Sequence, residues 1–409
     1  MGSKSLRCGT RTSAAPMKAA VLGAGGLGRT IAIELAADPD VKEIAVVDKR
    51  GARSRTLQSI GRASTVRALE ADVLDAAKIR TILSKVDVAV NATLPENNLR
   101  VMEACLDAGC GYVDGAAFTP TSPQEKWGLL EQLQLDSAWR DRGRTAIVSM
   151  GSDPGISNIM ARVAADRLHT IDSIRVRKAA SGGHKAAGYP LYSREIFLRD
   201  AMSRPVVWDG QRLAEREPVS GEEDFDFPPP IGKRHIHLFT HEEVLSLPLR
   251  LGKPIGLVDY KHDVNPELVR AIQALSALGL LEADRRIRIG EKAISFRDAF
   301  LATFPEPSTL IDPLAGALGI VVEVRGTKPD GSKASIVAAL VMENREANRR
   351  RGTTSERFLT AATLTAGMNL IHGKKVRAGV LVPEELPPEV ILPMLEARGI
   401  SFRLSEVAG

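Results

Sequence analysis

The chain has 409 residues, more than one ordinary core can use and enough for two or three domains. Its net charge of +5 is a small difference between 55 basic and 50 acidic residues, interspersed along the chain, so composition indicates no nucleic-acid partner. Three cysteines without a CxxC pair and no apolar run of membrane-spanning length point away from a disulfide scaffold, a thiolate zinc site and a membrane protein.

The first sixteen residues are polar and basic, without the apolar stretch of a secretory signal, and read as a loose leader to a cytoplasmic protein. From Met17 the pattern sharpens. Ala19-Ala20-Val21-Leu22 is a short apolar strand, followed by glycines at 23, 25, 26 and 28. Leu27, Ile31 and Leu35 recur at helical spacing, and Ile44 to Val47 is a second strand that ends on Asp48. In that setting the GxGxxG loop is a dinucleotide fingerprint. Gly23 permits the turn, Gly25 lets the backbone approach a pyrophosphate, and Gly28 lets the helix pack against the sheet. Gly26 and Leu27 open that helix, whose N-terminus faces the phosphates. Asp48 suits the adenosine ribose diol and tilts the reading towards NAD. Lys49, Arg50 and Arg53 follow at once and can neutralise the extra phosphate of NADP.

Strand and helix go on alternating. Val66 to Ala71 is a third strand leading to Asp72-Val73, Ala76 to Leu83 a helix, and Val86 to Asn91 a fourth strand. A helix from Asn98 to Ala108 stops at Gly109. Tyr112 to Asp114 is a fifth strand, Pro123 to Arg142 one long helix, and Thr145 to Met150 a sixth strand. Six strands with intervening helices make a doubly wound α/β sheet, in which ligands sit beyond the carboxyl ends of the strands. After a helix from Ile156 to Leu168 and a strand from Ile174 to Lys178 comes a glycine-rich loop, SGGHKAAGYPLYS, which reads as a lid. The proline- and acid-rich stretch 205–230 is hairpin-like, with its turn at Asp209-Gly210. A helix runs from Pro266 to Leu278, and a second hairpin turns at Pro329-Asp330-Gly331. The end reads as a helix from Ala361 to His372, a strand at 379–382 and a helix from Pro388 to Arg398. The basic run at Arg345 and Arg349 to Arg351 lacks interleaved aromatics and reads as solvated.

Four stretches carry a resemblance: VNATLPENNLRVMEACLDAGCGYVDGA, GSDPGISNIMA, HLFTHEEVLSLPLRLGKPIGLVDYK and GVLVPEELPPEVILPMLEARGI. Together they resemble the saccharopine dehydrogenase-like enzymes, over nearly everything from Met17 to Phe402. That family includes saccharopine reductases, lysine 6-dehydrogenases and carboxynorspermidine dehydrogenases. The resemblance implies an NAD- or NADP-dependent oxidoreductase at the C–N bond of an amino acid or an amine derived from one. It also implies a Rossmann domain built from 17–155 and 353–409, with the C-terminal segment returning to it. Residues 156–352 then form an α+β substrate-binding and dimerisation domain, with a helical insertion at about 235–305 and a homodimer as the assembly.

Asn91, Ala92 and Thr93, at the end of the fourth strand, are placed to contact the nicotinamide ribose, and the same residues read equally as a capped turn. Asp114, ending the fifth strand, is the candidate for acid–base or amine-binding work, or else a structural turn cap. Tyr189, Tyr192, Ser193 and Arg194 follow the glycine-rich loop and, with Arg199 and Lys261, are candidates to bind a small amino-acid-like substrate through its carboxylate. His241-Glu242-Glu243 lacks a second histidine at helical spacing, so no metal is expected there. A catalytically silent dinucleotide sensor is the competing reading.

Overall fold

In a computed structural model of the chain, residues 15–60, 65–122, 124–180, 192–304 and 314–408 are described. The glycine loop lies between β1 (Met17–Leu22) and α1 (Gly26–Ala37). There follow β2 (Val41–Asp48), α2 (Gly51–Arg55), β3 (Thr65–Glu70), α3 (Ala76–Leu83) and β4 (Val88–Asn91). Then come α4 (Asn98–Ala108), β5 (Gly111–Asp114), α5 (Gly128–Leu133), α6 (Asp136–Asp141) and β6 (Thr145–Ile147). Val21, Val46 and Val90 on neighbouring strands are fully buried, because helices cover both faces of a parallel sheet. The long helix expected over 123–142 is two short ones: at the junction the Leu135 N–H bonds three residues back, to Gln132, and tightens the turn. Pro123 lies outside the described residues.

The second half begins with α7 (Ile156–Ala165), β7 (Thr170–Ala180), α8 (Arg194–Met202), β8 (Val206–Trp208) and β9 (Leu213–Glu215). It continues with β10 (Glu223–Phe227), β11 (Gly232–Leu238), α9 (Glu243–Arg250), β12 (Ile255–His262) and α10 (Pro266–Ala277). A small hairpin, β13 (Ile287–Ile289) and β14 (Lys292–Ile294), precedes α11 (Phe296–Ala302). Residues 235–305, expected as a helical insertion, thus also supply strands to the sheet, since Val258 and Tyr260 of β12 are wholly buried there. Long strands β15 (Ala317–Thr327) and β16 (Lys333–Glu343) form the expected hairpin, and β8 with β9 the other. After α12 (Asn344–Arg351) come α13 (Ser355–His372), β17 (Gly379–Leu381), α14 (Pro388–Glu396) and β18 (Arg403–Ala408).

The first sheet has the order β17-β6-β5-β4-β1-β2-β3 and is parallel throughout. Its topological switch point lies between β1 and β4, where a ligand crevice is expected. The returning segment completes this layer: β17 pairs with β6, and α13, buried along nearly its whole length, packs on α1, β4 and β5. The second sheet is mixed, ordered β10-β11-β12-β7-β15-β16-β18, with β8 and β9 branching from β12. The final strand, β18, pairs with β16 of this second sheet, so the chain finishes on the other layer. Fully buried Ile156 and Met160 of α7 belong to a core that is continuous between the two sheets.

Candidate active site

A cleft of about 600 Å³ runs from the carboxyl ends of β1, β2 and β4 to the inner face of the second sheet. Its nucleotide half is lined by Gly23, Gly25, Gly26, Leu27, Asp48, Lys49, Arg50, Asp72, Val73, Asn91, Ala92 and Thr93. The donor set fits a dinucleotide. Gly25 precedes α1 with no side chain capping the helix, which leaves its first N–H groups for an anion. A Cβ on Gly25 would meet nothing within 4 Å; it would simply occupy the cradle. Gly28 faces the other way, where a Cβ would lie 1.8 Å from the Gly23 carbonyl oxygen, so it is a packing residue outside the cleft lining.

At the adenosine end Asp48 accepts the Ala24 and Arg50 N–H groups at 2.8 and 2.7 Å. Lys49, Arg50 and Arg53 line the same end with no carboxylate in ion-pairing distance among the described residues. Asn91 serves as turn and lining together. Its Oδ1 accepts the Thr93 N–H and hydroxyl, and its Nδ2 donates to Asn98 at 2.8 Å.

Asp114 does not open onto the cleft, which corrects its expected catalytic place. It is 1% exposed; Oδ1 accepts the Ser149 N–H at 2.8 Å, and Oδ2 accepts Gln132 Nε2 at 2.6 Å and the Tyr112 hydroxyl at 2.9 Å. Burial pushes its carboxyl up to about 6 against those donors. Its work is to hold the ends of β5 and β6 together. Glu242, at the start of α9, reaches the same place from the second domain. It accepts the Ala117 N–H at 2.7 Å and the Ser149 hydroxyl, and burial pushes its carboxyl up to about 8.

In the substrate half, Tyr192, Ser193 and Arg194 line the cleft, whereas Tyr189 and the glycine-rich loop lie outside the described residues. Ser193 caps α8 through Ile196 N–H, and Arg194 donates to the Leu301 carbonyl at 3.1 Å. Arg199 lies outside the cleft lining: it stacks over Phe118 and pairs with Glu96 at 2.8 Å, tying α8 to the nucleotide domain. Lys261 points away. Strand alternation puts it on the far face of the second sheet with Arg177, where it pairs with Glu223 at 2.5 Å.

The same alternation puts Lys178 on the cleft face, and around it lies a buried charged cluster that sequence reading missed. Lys178 Nζ sits 2.9 Å from Asp153 and 3.1 Å from Glu356 of α13. Tyr260 donates its hydroxyl to Asp153 at 2.6 Å, and Ser152 donates to Asp153 at 2.8 Å. His241 stacks on Tyr260 with ring centroids 3.9 Å apart, bonds Glu243 through Nδ1, and brings Nε2 to 3.9 Å from Asp153. Burial alone would strip His241 of its proton, but the Glu243 and Asp153 carboxylates outweigh it and raise its pKa to about 9. Burial likewise opposes the Lys178 charge, and Asp153 and Glu356 reverse that too. Signals existed: Asp153 lies in GSDPG, His241 opens the HEE triplet, and Lys178 ends an alternating strand.

The family model described as the saccharopine dehydrogenase NADP binding domain matches residues 19–147, and that of the saccharopine dehydrogenase C-terminal domain matches 151–400. The chain belongs to the saccharopine dehydrogenase family. Carboxyaminopropylagmatine dehydrogenase from Synechocystis sp. is 25% identical over 393 residues, covering 94% of this chain and 96% of that one. Carboxynorspermidine synthase from Vibrio cholerae is 24% identical over 403 residues, with the same coverage. Apo saccharopine dehydrogenase (L-Glu forming) from Saccharomyces cerevisiae has the same fold: TM-score 0.71 at 15% identity, covering 96% of this chain and 100% of that one. This family member is an NAD(P)-dependent oxidoreductase acting on amine C–N bonds. Among the described residues no helix is long and apolar enough to cross a membrane.

The two glycines should separate cleanly. Gly25→Ala is expected to keep the unfolding midpoint in urea and weaken NAD(P)H binding tenfold or more by fluorescence titration. Gly28→Ala should lose about 2 kcal/mol of stability, because backbone must move.

Proposed function

We propose that the chain makes or breaks the C–N bond between an amino-acid-derived carbonyl fragment and an amine, by hydride transfer at the iminium carbon. The carboxyaminopropyl-amine class named by its relatives is the substrate type favoured. The observation that carries this is the ionised Lys178–Asp153–Glu356–His241 cluster at the inner end of a dinucleotide groove. Bound along that groove, the dinucleotide supplies or accepts the hydride.

The chain's own residues manage the rest. His241 stays protonated through neutral pH and gives its proton to the departing water when the amine–carbonyl adduct collapses to the iminium. In the opposite direction its neutral ring takes a proton from the attacking water. Lys178, fixed by two carboxylates, keeps a positive charge beside the reacting carbon for the substrate carboxylate to meet. Tyr192, with the Lys178 ammonium 5.5 Å from its ring centroid, walls the site, and Ser193 and Arg194 reach the amino-acid end. For the cofactor, Asp48 supports NAD and the Lys49–Arg50–Arg53 group supports NADP.

A homodimer is supported by the outer face of the second sheet, where Val337, Ala339 and Val341 stay only partly covered. Free, buried Cys105 and Cys110 support a reducing, cytoplasmic setting.

Incubated with aspartate semialdehyde, NADH or NADPH, and agmatine or 1,3-diaminopropane, the protein should lower the absorbance at 340 nm. Silence with every pair, and with saccharopine in the oxidative direction, would favour the sensor instead. The coupling rate should hold up to about pH 8 and fall tenfold per unit above about pH 9, because His241 with its raised pKa is the acid only while protonated. His241→Asn should remove that limb and lower kcat about a hundredfold. Arg50→Ala with Arg53→Ala should weaken NADPH about tenfold and NADH less than twofold, read as KM values.

A further inference from the structure

Asp200 of α8 is 7% exposed and lines the substrate half of the cleft, with the Thr119 hydroxyl as a hydrogen-bonding neighbour. No Lys, Arg or His nitrogen lies within 4 Å of it among the described residues. The cations nearest to it are committed elsewhere: Lys178 of β7 to Asp153 and Glu356, His241 to Glu243, and Arg199 of its own helix to Glu96 and Glu125. A second buried group opens onto the same cleft. Thr240 is 1% exposed, and its Oγ1 has no hydrogen-bond partner among the described residues. Glu242, beside it, differs, because both of its oxygens are already held by Ala117 and Ser149.

A buried carboxylate without a counter-ion is costly, and an orphaned buried hydroxyl adds to the cost. Both costs vanish when a ligand brings a positive charge that carries hydrogen-bond donors. We propose that Asp200, with the Thr240 hydroxyl, receives the cationic end of the amine substrate and so selects guanidinium- or ammonium-ended amines over uncharged ones. The assignment rests on the reaction proposed above. It gives the cleft two poles: Lys178 for the amino-acid carboxylate and Asp200 for the far cation of the amine.

Burial also pushes the Asp200 carboxyl up to about 7, with His241, Arg199 and Lys178 opposing and Tyr192 facing it. Only its ionised form attracts a cation, so selectivity should grow as pH rises through 7. The probes are agmatine and N-carbamoylputrescine, which share a chain and differ by a guanidinium against a neutral urea. Their kcat/KM values with aspartate semialdehyde, and their calorimetric affinities for the chain loaded with oxidised cofactor, are compared in wild type, Asp200→Asn and Asp200→Glu. NAD(P)H fluorescence titration confirms that each variant is folded.

Wild type should favour agmatine at least tenfold by both measures, with the ratio rising between pH 6 and 8. Asp200→Asn should bring the ratio within about twofold of unity at every pH, and Asp200→Glu should keep most of it. Turnover of both amines at a ratio that Asp200→Asn does not move overturns the role of Asp200 and leaves the reaction standing. No turnover by wild type, with equal affinities for the two amines, overturns both.

Discussion

The position of Lys178 between Asp153 and Glu356 is the constraint on which the rest of the site depends. Three distant parts of the chain meet there: β7 of the second sheet, the crossover after β6, and the first turn of α13. Such a triad adds little net stability, because each ion gives up its hydration. Removing one member strands the others, at about 3–5 kcal/mol, so the arrangement is sharply specified once formed. It ties the second sheet to the crossover after β6 and to α13 at the edge of the cleft. Tyr260 and Ser152 then take their places around Asp153 through hydrogen bonds to its carboxylate, and His241, stacked on Tyr260 and bonded to Glu243, through charge.

A second joint contains no basic side chain. Ser149 gives its N–H to Asp114 and its hydroxyl to Glu242, so one residue at the end of β6 ties together two carboxyls from different domains. Burial raises both, to about 6 and about 8. Groups with graded proton affinities thus stand in and behind one wall of the cleft: Asp114 enclosed behind it, Glu242 held by two donors, Asp200 lining it, and His241 charged. Environment, and not residue type, divides these roles.

The nucleotide half was legible because its signals are local. Glycine spacing, the apolar run before it and the acid at the end of the second strand lie within about thirty residues, and each has a single mechanical use. The six parallel strands and both hairpins followed from alternation and turn chemistry. In the substrate half Tyr192, Ser193 and Arg194 were legible as cleft-lining residues, but the charged cluster was not, because its members stand at 153, 178, 241, 260 and 356 and are joined only by the packing of two sheets. Lys178 and Lys261 show the difficulty: both lie near the ends of neighbouring strands in one sheet, yet a shift of one position turns one into the cleft and the other to the far face. Asp114, expected at the cleft, lies behind it for a related reason. Position at a strand end is readable, but the three donors that enclose it are not.

The returning segment has a consequence for how the molecule comes into being. The sheet edge β17, the buried helix α13 and the Glu356 carboxylate all lie beyond residue 350. A ribosome that has released the chain as far as residue 350 has made the entire glycine loop, Asp153 and Lys178, but neither the helix that covers β4 and β5 nor the second anion of the triad. The nucleotide layer therefore keeps an apolar face open until the segment beyond residue 350 has been made. The charged cluster gains its second anion only with that segment, so the same stretch of chain covers the sheet and completes the ion pairs around Lys178.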